Sequence, residues 1–188
     1  MSDPFFFGYG SLVNRATHAY GEAHTARVVG WRRAWRHTGQ RDLAFLSAEP
    51  APGVEIEGLI AQVPGGDWSA LDIREHGYQR HPIKERLAHA ATRSVSAQIY
   101  AIPPARGAEA GRRHPILLSY LDVVVQGYLR EFGEAGAERF FVTTTGWEAP
   151  VLDDRTDPRY PRHQRLTPSE RGFVDDQLVA LGMRIIRG

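Results

Sequence analysis

Ala26-Arg27-Val28-Val29-Gly30-Trp31-Arg32-Arg33-Ala34-Trp35-Arg36-His37 reads as a β-strand. Side chains alternate along a strand, so Trp31, Arg33, Trp35 and His37 share one face and Arg32, Ala34 and Arg36 the other. Leu43 to Ser47 reads as a shorter strand, closed by Pro50-Ala51-Pro52-Gly53. Val54 to Val63 is a further strand, closed by Pro64-Gly65-Gly66. Strands that follow one another across turns, without intervening helices, predict an antiparallel or mixed sheet that curls toward a barrel.

Upstream, Phe5-Phe6-Phe7 reads as a short buried strand that enters a glycine-rich turn at Gly8-Tyr9-Gly10. Downstream, Asp67 predicts the N-cap of a helix that Gly77 terminates. Two more strands are expected at Ile83 to Leu87 and Val95 to Ile102, then a loop from Pro103 to Arg113. Pro115 opens a helical segment whose Ile116, Leu117, Tyr120, Val123, Val124, Tyr128 and Phe132 suit one apolar face. Glu138 to Val142 fits a further short helix. Thr167-Pro168-Ser169-Glu170 is a capping-box pattern opening a helix that carries Phe173, Leu178 and Leu181, closed by Gly182. Trp147 to Arg165 reads as a long ordered loop or a lid. The expectation is one domain over residues 1–188, helical from about residue 115.

With 188 residues, the chain suits one domain. The apolar fraction of 42% and the charged fraction of 24% are those of a globular protein. The 23 basic and 22 acidic residues give a net charge of +1, which supplies no general pull toward nucleic acid or anionic membranes. The absence of cysteine excludes disulfides, thiolate metal sites and a thiol nucleophile. Met1-Ser2-Asp3-Pro4 lacks the positive region of a signal peptide, and Phe5-Phe6-Phe7 is too short for a membrane span, so the cytoplasm is the expected location.

Two features carry chemistry. In Gly8-Tyr9-Gly10-Ser11-Leu12, glycines allow close approach to the backbone, and exposed N–H groups make a cradle for an anion or oxyanion. Val13 replaces the third glycine of a dinucleotide fingerprint, and Tyr9 and Val13 flank Ser11 where a nucleophile elbow needs glycines. Ser11 is therefore not read as a nucleophile. The second feature is Glu75. At about 100° per residue it shares a helix face with Trp68, Leu71 and Tyr78, and desolvation in that stripe raises a carboxyl pKa toward that of a general acid/base. A helix-end Glu paired with Arg74 or Arg80 is the competing reading.

Phe7-Gly8-Tyr9-Gly10-Ser11-Leu12, then Leu71-Asp72-Ile73-Arg74-Glu75-His76-Gly77-Tyr78, then Ser119-Tyr120-Leu121 with Gly127 seven residues after the Tyr, resemble three motifs of the γ-glutamylcyclotransferase family in order. The wording is nearest to its ChaC-type branch. The resemblance implies an α+β fold, a small mixed or antiparallel β-barrel flanked by helices. It implies cyclisation of a small γ-glutamyl compound to 5-oxoproline with release of an amine. It maps the catalytic Glu to Glu75, the substrate-holding loop to Tyr9, Gly10, Ser11 and Leu12, and substrate-contacting tyrosines to Tyr78 and Tyr120. It implies no metal and no cofactor. Arg112-Arg113-His114-Pro115-Ile116 stands where the glutathione-acting branch carries a glycine-rich stretch, and Val13-Asn14 also departs from that branch. The rival from another class is a catalytically silent binding module on the same fold.

Other features take blander readings. Trp31 to Arg36 mixes basic and aromatic residues, but a sheet strand with snorkelling Arg stems is favoured over a nucleic-acid stripe. The eight histidines show no helical His-Glu-x-x-His and no close pair at ligand spacing. Asp153, Asp154 and Asp157 read as a solvated turn. Arg159, Arg162 and Arg165, with Tyr160, are candidates to cover the site and meet an anionic substrate.

Overall fold

The computed structural model describes residues 3–39, 41–111 and 113–187. Met1 and Ser2 of the N-terminal stretch, and Arg112 of the segment that departs from the glutathione-acting branch, lie outside the described residues. In chain order the elements are β1 (Phe5–Gly8), β2 (His24–His37), β3 (Ala44–Gln62), α1 (Ser69–Arg74), β4 (Gln79–Pro82), β5 (Leu87–His89), β6 (Ala97–Ala101), β7 (Ala108–Glu109), β8 (Ile116–Leu117), α2 (Leu118–Val142), β9 (Thr144–Thr145), β10 (Val151–Asp153), α3 (Pro168–Ala180) and β11 (Ile185–Arg187).

The main sheet runs β4-β6-β1-β3-β2-β5, with β7 and β9 also paired to β2. β1–β3 and β2–β3 are antiparallel, while β1–β6 is parallel, so this is a mixed sheet in an α+β fold. Among the described residues the path stays open, with β4 and β5 as its ends. A second sheet, β11-β10-β8, is parallel. The C-terminal part thus combines helices with strands.

Pro50-Ala51-Pro52-Gly53 does not end a strand. β3 runs through it, and residues 51–54 face only Gly30, because Pro50 pairs with Trp31 and Glu55 with Val29. β3 therefore bulges here, with four residues against one on β2. Gly30 has φ +92°, and its missing Cβ would stand 3.0 Å from Glu85 Cγ. Turn residues here make a double bend in one ladder. The strand expected at Ile83 to Leu87 is instead the crossing between β4 and β5, which join opposite ends of the path.

Alternation along β1 sets the two cores. Phe5 and Phe7 join Trp35, Leu46, Ile60, Tyr128 and Phe140. Phe6 points the other way, to Leu12, Val63, Leu71 and Tyr100. Each fully buried Phe or Leu contributes roughly 1.5–3 kcal/mol. Arg33 does not snorkel. It is buried, and it donates to Glu57 O (2.9 Å), Tyr128 Oη (2.9 Å) and Thr144 Oγ1 (3.1 Å), with the Tyr128 and Phe140 rings beside it.

α2 begins at Leu118, one strand later than Pro115 suggests, and bends at Gly133 (φ +68°), so Glu138 to Val142 form its second arm. Its first half is buried all round, Leu118 and Val125 included, not on one face alone. α3 and the chain before it cover the outer side: Gln126 Nε2 donates to Arg165 O (3.2 Å) and Glu170 Oε2 (2.9 Å). The capping box of α3 forms as read, with Glu170 N donating to Thr167 Oγ1 (3.2 Å) and Thr167 N to Glu170 Oε2 (2.8 Å). Val174 and Leu178 are its buried residues, and Leu181 is exposed.

Candidate active site

The turn after β1 is built by close approach. A Cβ on Gly8 would stand 2.5 Å from Leu12 Cβ, and one on Gly10 would stand 2.7 Å from Tyr120 Oη. Ser11–Val13 is a single 3-10 turn. Its first N–H groups, on Ser11 and Leu12, have no acceptor within the turn, and the Ser11 N–H faces the Tyr120 hydroxyl. The Leu12 side chain packs in the Phe6 cluster, so what it offers the site is backbone.

Three side chains fix this turn. Asn14 Nδ2 donates to Val123 O (3.0 Å) and Gln126 Oε1 (2.9 Å) on α2. Gly127 lets α2 come that near, since a Cβ there would lie 2.7 Å from Asn14 N. Tyr128 Oη lies 2.8 Å from Tyr9 O and from Glu57 O. Thr17 Oγ1 donates to Ser11 O (2.9 Å).

α1 is short and held from both ends. Asp67 Oδ1 accepts from Ser69 N (2.9 Å), and Leu71 is fully buried in the Phe6 cluster. Asp72 accepts from Tyr100 Oη (2.7 Å) and Arg80 Nε (2.8 Å). The helix stops at Arg74, so Glu75 is its C-cap, and Gly77 turns the chain with φ +96°. Arg74 is the bridge to the turn: it donates to Thr17 O (2.9 Å), Thr17 Oγ1 (3.0 Å) and Ser11 Oγ (3.3 Å), with Nε 3.3 Å from Glu75 Oε1. Arg74 therefore pairs with Glu75 and also brings it beside Ser11.

Glu75 lies between two connected spaces. A small recess of about 30 Å³ is lined by Gly8, Tyr9, Gly10, Ser11, Leu12 and Tyr100. A wider cavity of about 280 Å³ opens outward past Arg41, Leu43, Phe45, Arg159, Tyr160 and Arg162. Ser11, Leu46, Glu75, Tyr78 and Tyr120 line both, and Glu75 is the sole acidic residue among those lining either. Burial raises the Glu75 pKa, against the opposing pull of Arg74 and Arg162. Burial also raises the phenols of Tyr9, Tyr78 and Tyr120, which stay protonated donors at neutral pH. Two of these phenols are committed: Tyr9 Oη donates to Tyr100 O (2.6 Å) and Tyr78 Oη to Leu46 O (2.9 Å). The Tyr120 ring stands edge-on to Trp35 (6.0 Å) and Tyr160 (5.0 Å).

The segment from Trp147 to Arg165 is pinned over this cavity. Asp154 is buried, not a solvated turn residue. Its carboxylate accepts from Ser119 N (2.7 Å), Ser119 Oγ (2.6 Å) and Arg159 N (2.9 Å). Arg155 pairs with Asp122 (2.7 Å) and Asp175 (2.6 Å). Arg159, Tyr160 and Arg162 line the cavity, whereas Arg165 lies elsewhere, with its carbonyl on Gln126.

Tyr9, Gly10, Ser11, Leu12, Glu75, Tyr78 and Tyr120 are thus brought together. Sequence reading missed Asn14, Thr17 and Tyr100, whose parts depend on partners remote in the chain. It also found no histidine pair, yet His37 and His114 stack with ring centroids 3.3 Å apart, beside Asp42.

The sequence family described as "Gamma-glutamyl cyclotransferase, AIG2-like" matches residues 6–121, more than half of the chain. The chain belongs to this family. A solved structure described as "Gamma-glutamyl cyclotransferase" superposes with a TM-score of 0.59 at 13% identity, over 94% of this chain and 99% of that one. An uncharacterized protein from Homo sapiens gives 0.58 at 12% identity, over 93% and 99%. YkqA from Bacillus subtilis gives 0.56 at 17%, over 78% of this chain and 57% of that chain. At such identities the likeness is one of fold. No curated protein matches the sequence. The γ-glutamyl cyclotransferase match spans the turn, Glu75 and Tyr120. No helix among the described residues is long and apolar enough to cross a membrane.

Proposed function

We propose that this γ-glutamyl cyclotransferase family member cyclises a γ-glutamyl compound to 5-oxoproline and releases an amine, with Glu75 as general acid/base. The observation that carries the reading is the position of Glu75: a largely desolvated, part-exposed carboxylate, the sole acid lining both recess and cavity, beside the Ser11 turn.

The substrate's own α-amino group is the nucleophile. Its α-ammonium passes a proton to Glu75, and the free amine adds to the γ-carbonyl carbon. The new C–N bond closes the ring, and the old γ-amide C–N bond breaks. The lactam nitrogen keeps one of the three ammonium protons. Glu75 relays the other two to the departing nitrogen, which leaves as an ammonium, and Glu75 ends ionised.

Proton relay by a placed carboxyl is worth about 10²–10⁴-fold in rate. Folding the substrate so that amine meets carbonyl supplies up to roughly 7–11 kcal/mol in ideal intramolecular cases. In this reading the recess takes a small group, and the backbone N–H groups of the turn with the Tyr120 hydroxyl stabilise developing negative charge there. The departing group extends into the wider cavity.

The test is 5-oxoproline release from γ-glutamyl dipeptides, γ-glutamylamines and glutathione. Turnover of one class names the leaving group. No release from any of them, by folded protein, counts against the reading and favours a silent binding module.

A further inference from the structure

Outside the cavity, His37, Asp42 and His114 present ligand atoms that all lie within 4.8 Å of one another. They come from three segments. His37 ends β2 and is held by Ala44 of β3 and Ala108 of β7. Asp42 stands two residues before β3. His114 closes the loop that follows β7, with its N–H on Gly111 O (2.9 Å), and Pro115 O then accepts from Ala44 N (3.0 Å). The backbones that carry the three side chains are therefore tied to one another.

A second observation points the same way. His114 Nδ1 is buried and has no hydrogen-bond partner. A buried polar nitrogen of this kind requires a reason, and a missing ion is one. The two imidazoles stack at 17°, so their in-plane lone pairs run side by side. Ligation asks one ring to turn about χ2 until the lone pairs converge. At His37 Nε2 the competitor is a 3.2 Å contact from the Gly39 N–H, a short-range and exposed bond.

The geometry points to a transition-metal site of the Zn²⁺ class at His37, Asp42 and His114, with a fourth position for water. Two imidazoles and one carboxylate form a borderline donor set, which suits Zn²⁺, Co²⁺ or Ni²⁺. Mg²⁺ and Ca²⁺ seek several oxygens and would find one carboxylate, with Arg41 beside it in sequence and Arg113 beside His114. The consequence is mechanical. Arg41, Leu43 and Ala44 line the cavity, so a metal on Asp42 ties the cavity rim to β2 and to the loop after β7.

The experiment uses untagged, chelator-treated full-length protein. Zn²⁺ binding is measured by calorimetry, Co²⁺ binding by visible absorption, and thermal melts are run with and without Zn²⁺. The expected result is one saturable equivalent that raises Tm. His114→Ala and Asp42→Asn should each weaken it at least about tenfold, since even second-layer changes cost that much. Asp42 is exposed, so Asp42→Asn keeps the fold if His114→Ala does not. Absence of saturable binding by the wild type, or binding by Asp42→Asn as tight as the wild type, overturns the proposal. Neither result bears on 5-oxoproline release.

Discussion

At the scale of the residue, Glu75 carries opposing demands. Its pKa is raised by burial, so the folded protein holds that proton more tightly than the unfolded chain. Its contribution to stability is therefore most favourable below the ordinary Glu value of about 4.3, and declines as pH rises through the raised folded value. Glu75→Gln removes the cost of ionising a largely desolvated carboxylate. Its Tm should match that of the wild type near pH 4 and exceed it by a few degrees at pH 7. Thermal melts at the two pH values check this, and a Tm below wild type at pH 7 would contradict it. Gly10 makes a second residue-scale test. In Gly10→Ala the new Cβ would press on the Tyr120 hydroxyl at 2.7 Å, so activity should fall about tenfold or more. Tyr120→Phe alone should weaken activity modestly. The double variant should lose less than the sum, with a coupling of about 0.5–3 kcal/mol measured by a double-mutant cycle in kcat/KM. Additive losses would mean that the two residues do not meet.

At the scale of the element, the decisive joints are between segments far apart in sequence. Asp154 satisfies a free N–H at the start of α2 and the Arg159 N–H of the segment over the cavity. Asp154→Asn turns one acceptor into a donor against those groups, and should cost about 1–3 kcal/mol of stability. KM should rise more than kcat falls, because Arg159, Tyr160 and Arg162 lose their anchor while Glu75 keeps its place. Denaturant melts and steady-state kinetics would show it, and an unchanged KM would remove this segment from substrate binding. Local signals did reveal several elements. The capping box of α3 and the alternation in β2 are short-range patterns with short-range causes. The path of β3 through Pro50 to Gly53 is not legible in the local sequence, because it depends on pairing with Val29 and Trp31 on the neighbouring strand, either side of Gly30. The start of α2 was misread for a like reason: Ile116 and Leu117 are drawn into pairing with β10, which lies more than thirty residues on.

At the scale of the whole molecule, the mixed sheet and the helices around it were legible from the run of strands and turns. The site was legible in part. The glycine turn and Glu75 stood out because each breaks a local rule: exposed backbone in the one, a carboxylate in an apolar stripe in the other. Arg74 was seen only as a partner for Glu75, and its grip on Ser11 and Thr17 appears once α1 is laid on the Phe6 face. The histidine cluster was hidden by a separation of more than seventy residues. What the fold achieves is a desolvated carboxyl, the proposed acid/base, that lines both a recess and a wider cavity, with neutral phenols around it. The most direct test of that arrangement is kcat for 5-oxoproline release by wild type and Glu75→Gln, with substrate affinity measured by calorimetry on both. The account predicts that kcat drops by at least about 10²-fold while affinity changes little. A Glu75→Gln variant that turns over near the wild-type rate would contradict it.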